Sequence, residues 1–279
     1  MMPEMGVDPA RPLLLVDVGE VLGLFMQGFG AAPAHMKSPG DFATEVDMAI
    51  ESHMRSMLNM MTGIAVIGEE GGGATSGTRW VIDPIDGTAN FAASNPMSAI
   101  LVSLLVDDQP VLGITSMPML GKRLTAFEGS PLMINGEPQE PLQEQSSLVS
   151  HIGFSSMASP RNTAFPVELR RDLLTELTES YLRPRITGSV GVDLAFTAQG
   201  IFGACVSFSP HVWDNSAGVM LMRAAGAQVT DTEGHPWAPG RGVVAGTKRA
   251  HDVLLSKIEK VRLMHADAGN DQSLNEEYK

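Results

Sequence analysis

The sequence predicts layered helices and sheets, α+β in its N-terminal half and α/β in its C-terminal half. Three observations predict it. Two apolar patterns at helical spacing open the chain, closely spaced strand-like runs follow to about residue 136, and strand and helix patterns alternate from about residue 148.

The first helix is read from Leu14, Val18, Val21, Leu22, Phe25 and Phe29. A secretory leader is not expected, because Glu4 and Asp8 precede a single Arg11 while Asp17 and Glu20 interrupt the apolar run. After the polar Lys37-Ser38-Pro39-Gly40-Asp41, the second helix carries Val46, Ile50, Met54, Met57 and Met61 on one face. Strands are expected at 64–67, 80–82 and 99–106, then a meander at 111–117, 123–127 and 132–134 that closes at the turn dipeptide Asn135-Gly136. The glycines between 71 and 77 read as a hairpin turn, since no Lys-Ser/Thr ending follows them. Antiparallel pairing is expected throughout this half. The stretch 138–147 is the expected boundary. Beyond it come a strand at 148–154, a helix at 167–182, a strand at 185–187 and a helix at 190–199. A strand at 202–208, a helix at 215–225, strands at 227–231 and 243–245, and a helix near 248–263 complete the chain. The expected domains are therefore 1–145 and 146–265, with a fraying polar tail at 266–279.

Composition narrows the function. Of 279 residues, 43% are apolar and 18% charged, which excludes disorder and collagen. With 19 basic and 32 acidic residues the net charge is −13, so a nucleic-acid partner is not expected. No apolar run reaches the roughly 18 residues of a membrane span. The single cysteine, Cys205, cannot form an intramolecular disulfide and has no histidine at zinc spacing, and this fits a reducing cytoplasm. Cys205 itself reads as a buried small hydrophobe.

The chemistry is carried by carboxylates at the ends of elements. Glu69 and Glu70 follow Gly68, Asp83 and Asp86 flank Pro84-Ile85, and Asp214 follows Trp213 at the start of a helix. A proline-stiffened turn lets Asp83 and Asp86 converge on one point. Two negative charges about 4 Å apart repel by roughly 4 kcal/mol at an effective dielectric near 20, so such a group needs a cation or bound protons. Hard oxygen donors without thiolates favour Mg²⁺. Gly87-Thr88 then opens a helix whose free N–H groups suit a phosphate. No nucleotide-binding motif is present, so phosphoryl transfer to water is the simplest reaction.

Four blocks in order sharpen this. The string Trp80-Val81-Ile82-Asp83-Pro84-Ile85-Asp86-Gly87-Thr88-Ala89-Asn90-Phe91 resembles the signature of the inositol monophosphatase family of Mg²⁺-dependent, lithium-sensitive phosphatases. Asp41-Phe42-Ala43-Thr44-Glu45-Val46-Asp47, Gly68-Glu69-Glu70 and Trp213-Asp214-Asn215-Ser216-Ala217-Gly218 resemble its other blocks. The resemblance implies an αβαβα sandwich of the inositol monophosphatase and sugar phosphatase type, two or three Mg²⁺ per subunit, a homodimer and a small phosphomonoester as substrate.

Position by position, it makes Glu70, Asp83 and the Ile85 carbonyl ligands of one ion and Asp83, Asp86 and Asp214 ligands of a second, with Glu70 shared by a third. Glu69 is expected to be exposed. Asp47 and Thr88 would orient the attacking water, Gly87 and Thr88 N–H groups would hold the phosphate, and Lys37 would add positive charge. The family's substrate-contacting glutamate falls at Ser207, which leaves the alcohol half open. Relatives acting on histidinol phosphate, fructose 1,6-bisphosphate or 3′-phosphoadenosine nucleotides, and others that bind RNA polymerase as regulators, are the alternatives.

Overall fold

The computed structural model describes residues 19–38, 41–144, 150–157, 163–180 and 182–276. Residues 1–18, including the first turns of the expected opening helix, lie outside this set, as do residues 145–147 of the expected boundary segment. The described part of that helix, α1, is Gly19–Gly28, followed by the short hairpin β1 His35–Ser38 and β2 Asp41–Ala43.

Helix α2 spans Glu45–Thr62. Its start is fixed by a capping box: the Thr44 hydroxyl accepts from the Asp47 N–H while the Asp47 carboxylate accepts from the Thr44 N–H. Gly63, with φ of 66°, ends it. The expected helix is found with Ile50 and Met54 of its apolar face fully buried, joined by Leu58, while Met61 of that face is exposed.

Among the described residues, β3 Ala65–Gly68, β4 Gly72–Gly73, β5 Arg79–Asp86, β6 Ala99–Val106, β7 Gln109–Met117, β8 Lys122–Phe127, β9 Met133–Ile134 and β10 Glu137–Pro138 form one eight-stranded sheet. Helix α3, Thr88–Ala92, interrupts them after β5. The expected antiparallel meander is present from β5 to β10, but β3 runs parallel to β5 with Gly68 opposite Ile82. The glycine-rich stretch does open as a hairpin, β3 with β4.

The second sheet has the order β12-β11-β13-β15-β14, from β11 Ser150–Phe154, β12 Leu182–Arg185, β13 Ala204–Ser207, β14 Gln228–Thr230 and β15 Val243–Gly246. Its first three strands are parallel and the last two antiparallel, so this half is a mixed sheet. Its helices are α4 Val167–Thr178, α5 Val190–Ala198, α6 Val212–Ala224 and α7 Lys248–Glu276. Two expectations shift. The strand expected at 185–187 lies at β12, because Ser189 caps α5 and the Thr187 hydroxyl donates to the Ser189 carbonyl in the turn before it. The 266–279 stretch, expected to fray, continues α7 as far as Glu276.

Packing assigns the layers. Val21 and Phe25 of α1 and Ile50, Met54 and Leu58 of α2 cover one face of the large sheet through Trp80, Ile82, Ile100 and Val102. Its other face meets α5 and α6 through Leu101, Leu124, Val192, Leu194, Val219 and Met220, which also contact Val243 and Ala245 of the small sheet. Helices α4 and α7 close the far side with Leu173, Leu177, Leu254 and Ile258 against Ile152, Val206 and Val244. The order is helix, sheet, helix, sheet, helix, the expected αβαβα sandwich. Among the described residues no helix is long and apolar enough to cross a membrane.

Helix α6 approaches β7 closely at Gly113. A Cβ there would lie 2.5 Å from the Ala217 carbonyl oxygen and 2.9 Å from the Met220 Cβ. Gly113→Ala is therefore expected to cost about 1–3 kcal/mol, read as a lower urea midpoint, because backbone must move to admit one methyl group.

Candidate active site

The site lies where β3, β5, α3, α5 and α6 meet. Strand β5 is buried along its whole length and ends in the pair Asp83 and Asp86. Asp83 is opposite Leu101 and Asp86 opposite Ala99, so β5 advances three residues while β6 advances two. Without that bulge, residues three apart would face opposite sides of the sheet; with it both carboxylates face one cleft. Pro84 sits inside the bulge, where a missing N–H costs no ladder bond.

Asp86 ties the two sheets' layers together. Its Oδ2 accepts from the Ser189 hydroxyl and from the Gly191 N–H at 2.6 Å, and its Oδ1 from the Val190 N–H at 3.2 Å. It thereby caps the start of α5. Burial raises its pKa, those three donors lower it, and the net result is about 6.

Asp83 is 1% exposed and its Oδ1 accepts from the Ile85 N–H at 3.1 Å. Oxygens of Glu69, Asp83 and half-buried Asp214 all lie within 4.8 Å of one another. Burial pushes Asp83 and Asp214 well above the ordinary carboxylate range, and the charge of Glu69 pushes them further. Both groups also feel Asp86.

Asp47 and Thr88 meet as expected. The Thr88 hydroxyl lies 3.3 Å from Asp47 Oδ1 and 3.0 Å from the Ile85 carbonyl. Asp47 Oδ2 is held by the Thr44 hydroxyl at 2.5 Å and the Thr44 N–H at 2.8 Å. Burial raises Asp47, and the bonds from Thr44 offset part of that. Gly87 has φ of 81°, which favours glycine, and places α3 at the wall of the cleft. The cleft measures about 270 Å³ and is lined by Glu69, Asp83, Asp86, Gly87, Thr88 and Asp214, among others.

The sequence profile of the inositol monophosphatase family matches residues 17–263. The chain belongs to the inositol monophosphatase family. It is 46% identical over 235 residues to the probable inositol 1-monophosphatase ImpA of Mycobacterium tuberculosis, covering 83% of this chain and 87% of that protein. It is 43% identical over 261 residues to the inositol-1-monophosphatase ImpA of Mycolicibacterium smegmatis, covering 91% and 95%. An IMPase structure from Thermotoga maritima shares the fold with a TM-score of 0.81 at 23% identity, over 91% of this chain and 98% of that one. As a member of the inositol monophosphatase family the chain is a phosphoric monoester hydrolase.

In this inositol monophosphatase family member two of the expected site residues, Glu70 and Ser207, lie outside the places expected for them. Glu70 was expected at the acidic cluster and Glu69 outside it; Glu69 joins Asp83 and Asp214 instead. The parallel register is the reason. One step beyond the Gly68 to Ile82 pair, Glu69 stands beside Asp83, and its N–H still donates to the Ile82 carbonyl at 3.3 Å. Glu70 turns away. Its Oε1 accepts from Lys37 Nζ at 2.5 Å, and Lys37 also donates to Glu69 Oε1 at 2.7 Å. Burial lowers the Lys37 pKa, but the two carboxylates outweigh it and raise the ammonium above its ordinary range.

Ser207 was expected to face substrate. It is 2% exposed, its hydroxyl accepts from the Ser209 N–H at 3.3 Å, and it is not on the cleft wall. Ser155, Ser156 and Ser209 line the cleft in its place. Counting back along the chain from Trp213 does not reveal this, because Ser155 and Ser156 come from the end of a neighbouring strand. His211 stacks on Trp213 with centroids 4.7 Å apart. Cys205 is buried as expected, which pushes its thiol up to about 12.

A second acidic group, Asp231, Glu233 and His235, also lies within 4.8 Å. Arg241 already donates to Asp231 Oδ2 at 2.6 Å, and the Glu233 and His235 N–H groups fill Oδ1 at 2.8 and 3.0 Å. It reads as an ion-paired turn.

The raised carboxylates make a pH prediction. A folded-state pKa above the unfolded one means that the folded protein binds more protons, so ionisation costs stability as pH rises from about 4 through about 6 and beyond. A divalent cation removes that cost only where the groups are ionised. The rise in melting temperature produced by Mg²⁺ over EDTA is expected to be larger at pH 8 than at pH 5; an equal or reversed difference contradicts the assignment.

Proposed function

We propose that this chain hydrolyses a small phosphorylated alcohol with Mg²⁺ as its cofactor, inositol 1-phosphate being the first substrate to test. The observation that carries the reading is the meeting of Glu69, Asp83 and Asp214 oxygens within 4.8 Å, with Asp86 in the same cleft. The donor set fits the ion: hard carboxylate oxygens, with no thiolate or imidazole in the cluster. Glu69, Asp83, Asp86 and Asp214 would hold two or three ions, with the Ile85 carbonyl as a further oxygen donor. When bound, Mg²⁺ lowers the pKa of water and offsets charge on the transferring phosphoryl group.

The chain's own residues supply the rest. Ionised Asp47 accepts the Thr88 hydroxyl proton, which leaves a Thr88 lone pair to orient the attacking water. The Gly87 and Thr88 N–H groups, at the cleft wall, receive phosphate oxygens. The hydroxyls of Ser155, Ser156 and Ser209 supply a neutral, polar wall that suits a polyol. A homodimer belongs to the same proposal and rests on the family resemblance; a cytoplasmic setting rests on Cys205 being the only cysteine.

A phosphate-release screen over a panel of phosphomonoesters, with and without Mg²⁺ and Li⁺, tests the reading. Release that requires Mg²⁺, falls with Li⁺ and is fastest for inositol 1-phosphate is expected; no Mg²⁺-dependent release from any substrate sinks it. In the same assay Thr88→Ala is expected to lower kcat by about 10²-fold or more with the fold intact. Unchanged kcat would remove Thr88 from the mechanism.

A further inference from the structure

Asp47, Glu51 and Arg55 follow one another at four-residue steps on α2, so they share one face of the helix. Asp47 reaches Thr88. Glu51, 3% exposed, reaches the turn that follows Glu69. Its Oε2 accepts from the Glu70 N–H at 2.7 Å and its Oε1 from the Gly71 N–H at 2.8 Å. Glu69 keeps its own N–H in the ladder, on the Ile82 carbonyl. The chain therefore leaves β3 just after Glu69, and the next two N–H groups are bound by a single carboxylate from another element.

We propose that Glu51 is a positioning residue for Glu69, fixing the turn that aims Glu69 at Asp83 and Asp214; this rests on the metal-site reading above. The turn is built around the carboxylate. A Cβ on Gly68 would lie 2.4 Å from the Glu51 carboxylate carbon, and one on Gly71 would lie 2.8 Å from its Oε1. Each of these glycines leaves the space that Glu51 fills. Arg55 balances the charge with a bond from Nη2 to Glu51 Oε1 at 2.7 Å, and reaches the same hairpin through Val66 O at 2.9 Å and Gly72 O at 2.8 Å. A carboxylate accepts at both oxygens, whereas the glutamine amide would set an NH₂ group against one of the two N–H donors. Glu51→Gln keeps the shape and breaks the pairing.

The experiment is a calorimetric titration of the full chain with Mg²⁺ alone, in wild type, Glu51→Gln, Glu69→Gln and the double variant, with melting temperatures recorded in EDTA. Asp83→Asn serves as the control. Glu51→Gln is expected to weaken Mg²⁺ binding about tenfold or more. It is expected to add no loss in the Glu69→Gln background, because its effect passes through Glu69. Gly71→Ala displaces the carboxylate without removing it and is expected to weaken binding in the same way. Wild-type affinity in folded Glu51→Gln or Gly71→Ala overturns the positioning role, and so does an equal loss in both backgrounds. Wild-type affinity in Asp83→Asn would instead show that the metal-site reading has failed, and this proposal with it.

Discussion

Mutual repulsion among carboxylates is the constraint on which this molecule turns. Like charges at the separations found for Glu69, Asp83 and Asp214 cost roughly 3–4 kcal/mol per pair at an effective dielectric near 20. No fold assembles such a group for stability. The surroundings soften the cost without removing it: Asp86 takes three donors from the start of α5, Asp83 takes the Ile85 N–H, and Ser209 bonds Asp214. What remains shows as upward pKa shifts across the cluster. Such a cluster attracts positive charge, and among the described residues Lys37 brings one to its edge by bonding to Glu69 and Glu70.

The sandwich makes that assembly rigid. Its carboxylates come from strand ends and helix starts rather than from a long loop, and each start is fixed by a local device. A bulge turns Asp86 to the side of Asp83, the Thr44 capping box sets Asp47, and α6 brings Asp214 in its first turn. Asp86 performs two tasks at once, facing the cleft and capping a helix that packs between the two sheets. The site and the seam between layers are therefore one structure, and a group that orients chemistry also joins the layers.

Much of this was legible in the chain, for identifiable reasons. Asp83 and Asp86 could be read because Pro84 marks a break in strand alternation, and Asp214 because a helix pattern starts beside it. The choice between Glu69 and Glu70 could not, since adjacent residues differ only in which face they take, and that is set by the parallel pairing of β3 with β5 across the sequence. Ser207 misled for a similar reason: it is held in β13, paired with Val243, while Ser155, Ser156 and Ser209, which line the cleft, lie just past the ends of β11 and β13. Glu51 was not singled out in the sequence, because its partners are N–H groups of a turn 19 and 20 residues further on. The extension of α7 to Glu276 ran against apolar content alone, which decides packing and not whether the backbone is helical.

Anomalous scattering from crystals grown with Mn²⁺, which takes the same oxygen donors, tests the central claim most directly. The account predicts peaks between Asp83, Asp86 and Asp214 and beside Glu69, with Glu70 still on Lys37. Peaks confined to other places, such as the turn at Asp231, or no peak in the cleft at saturating Mn²⁺, would contradict it.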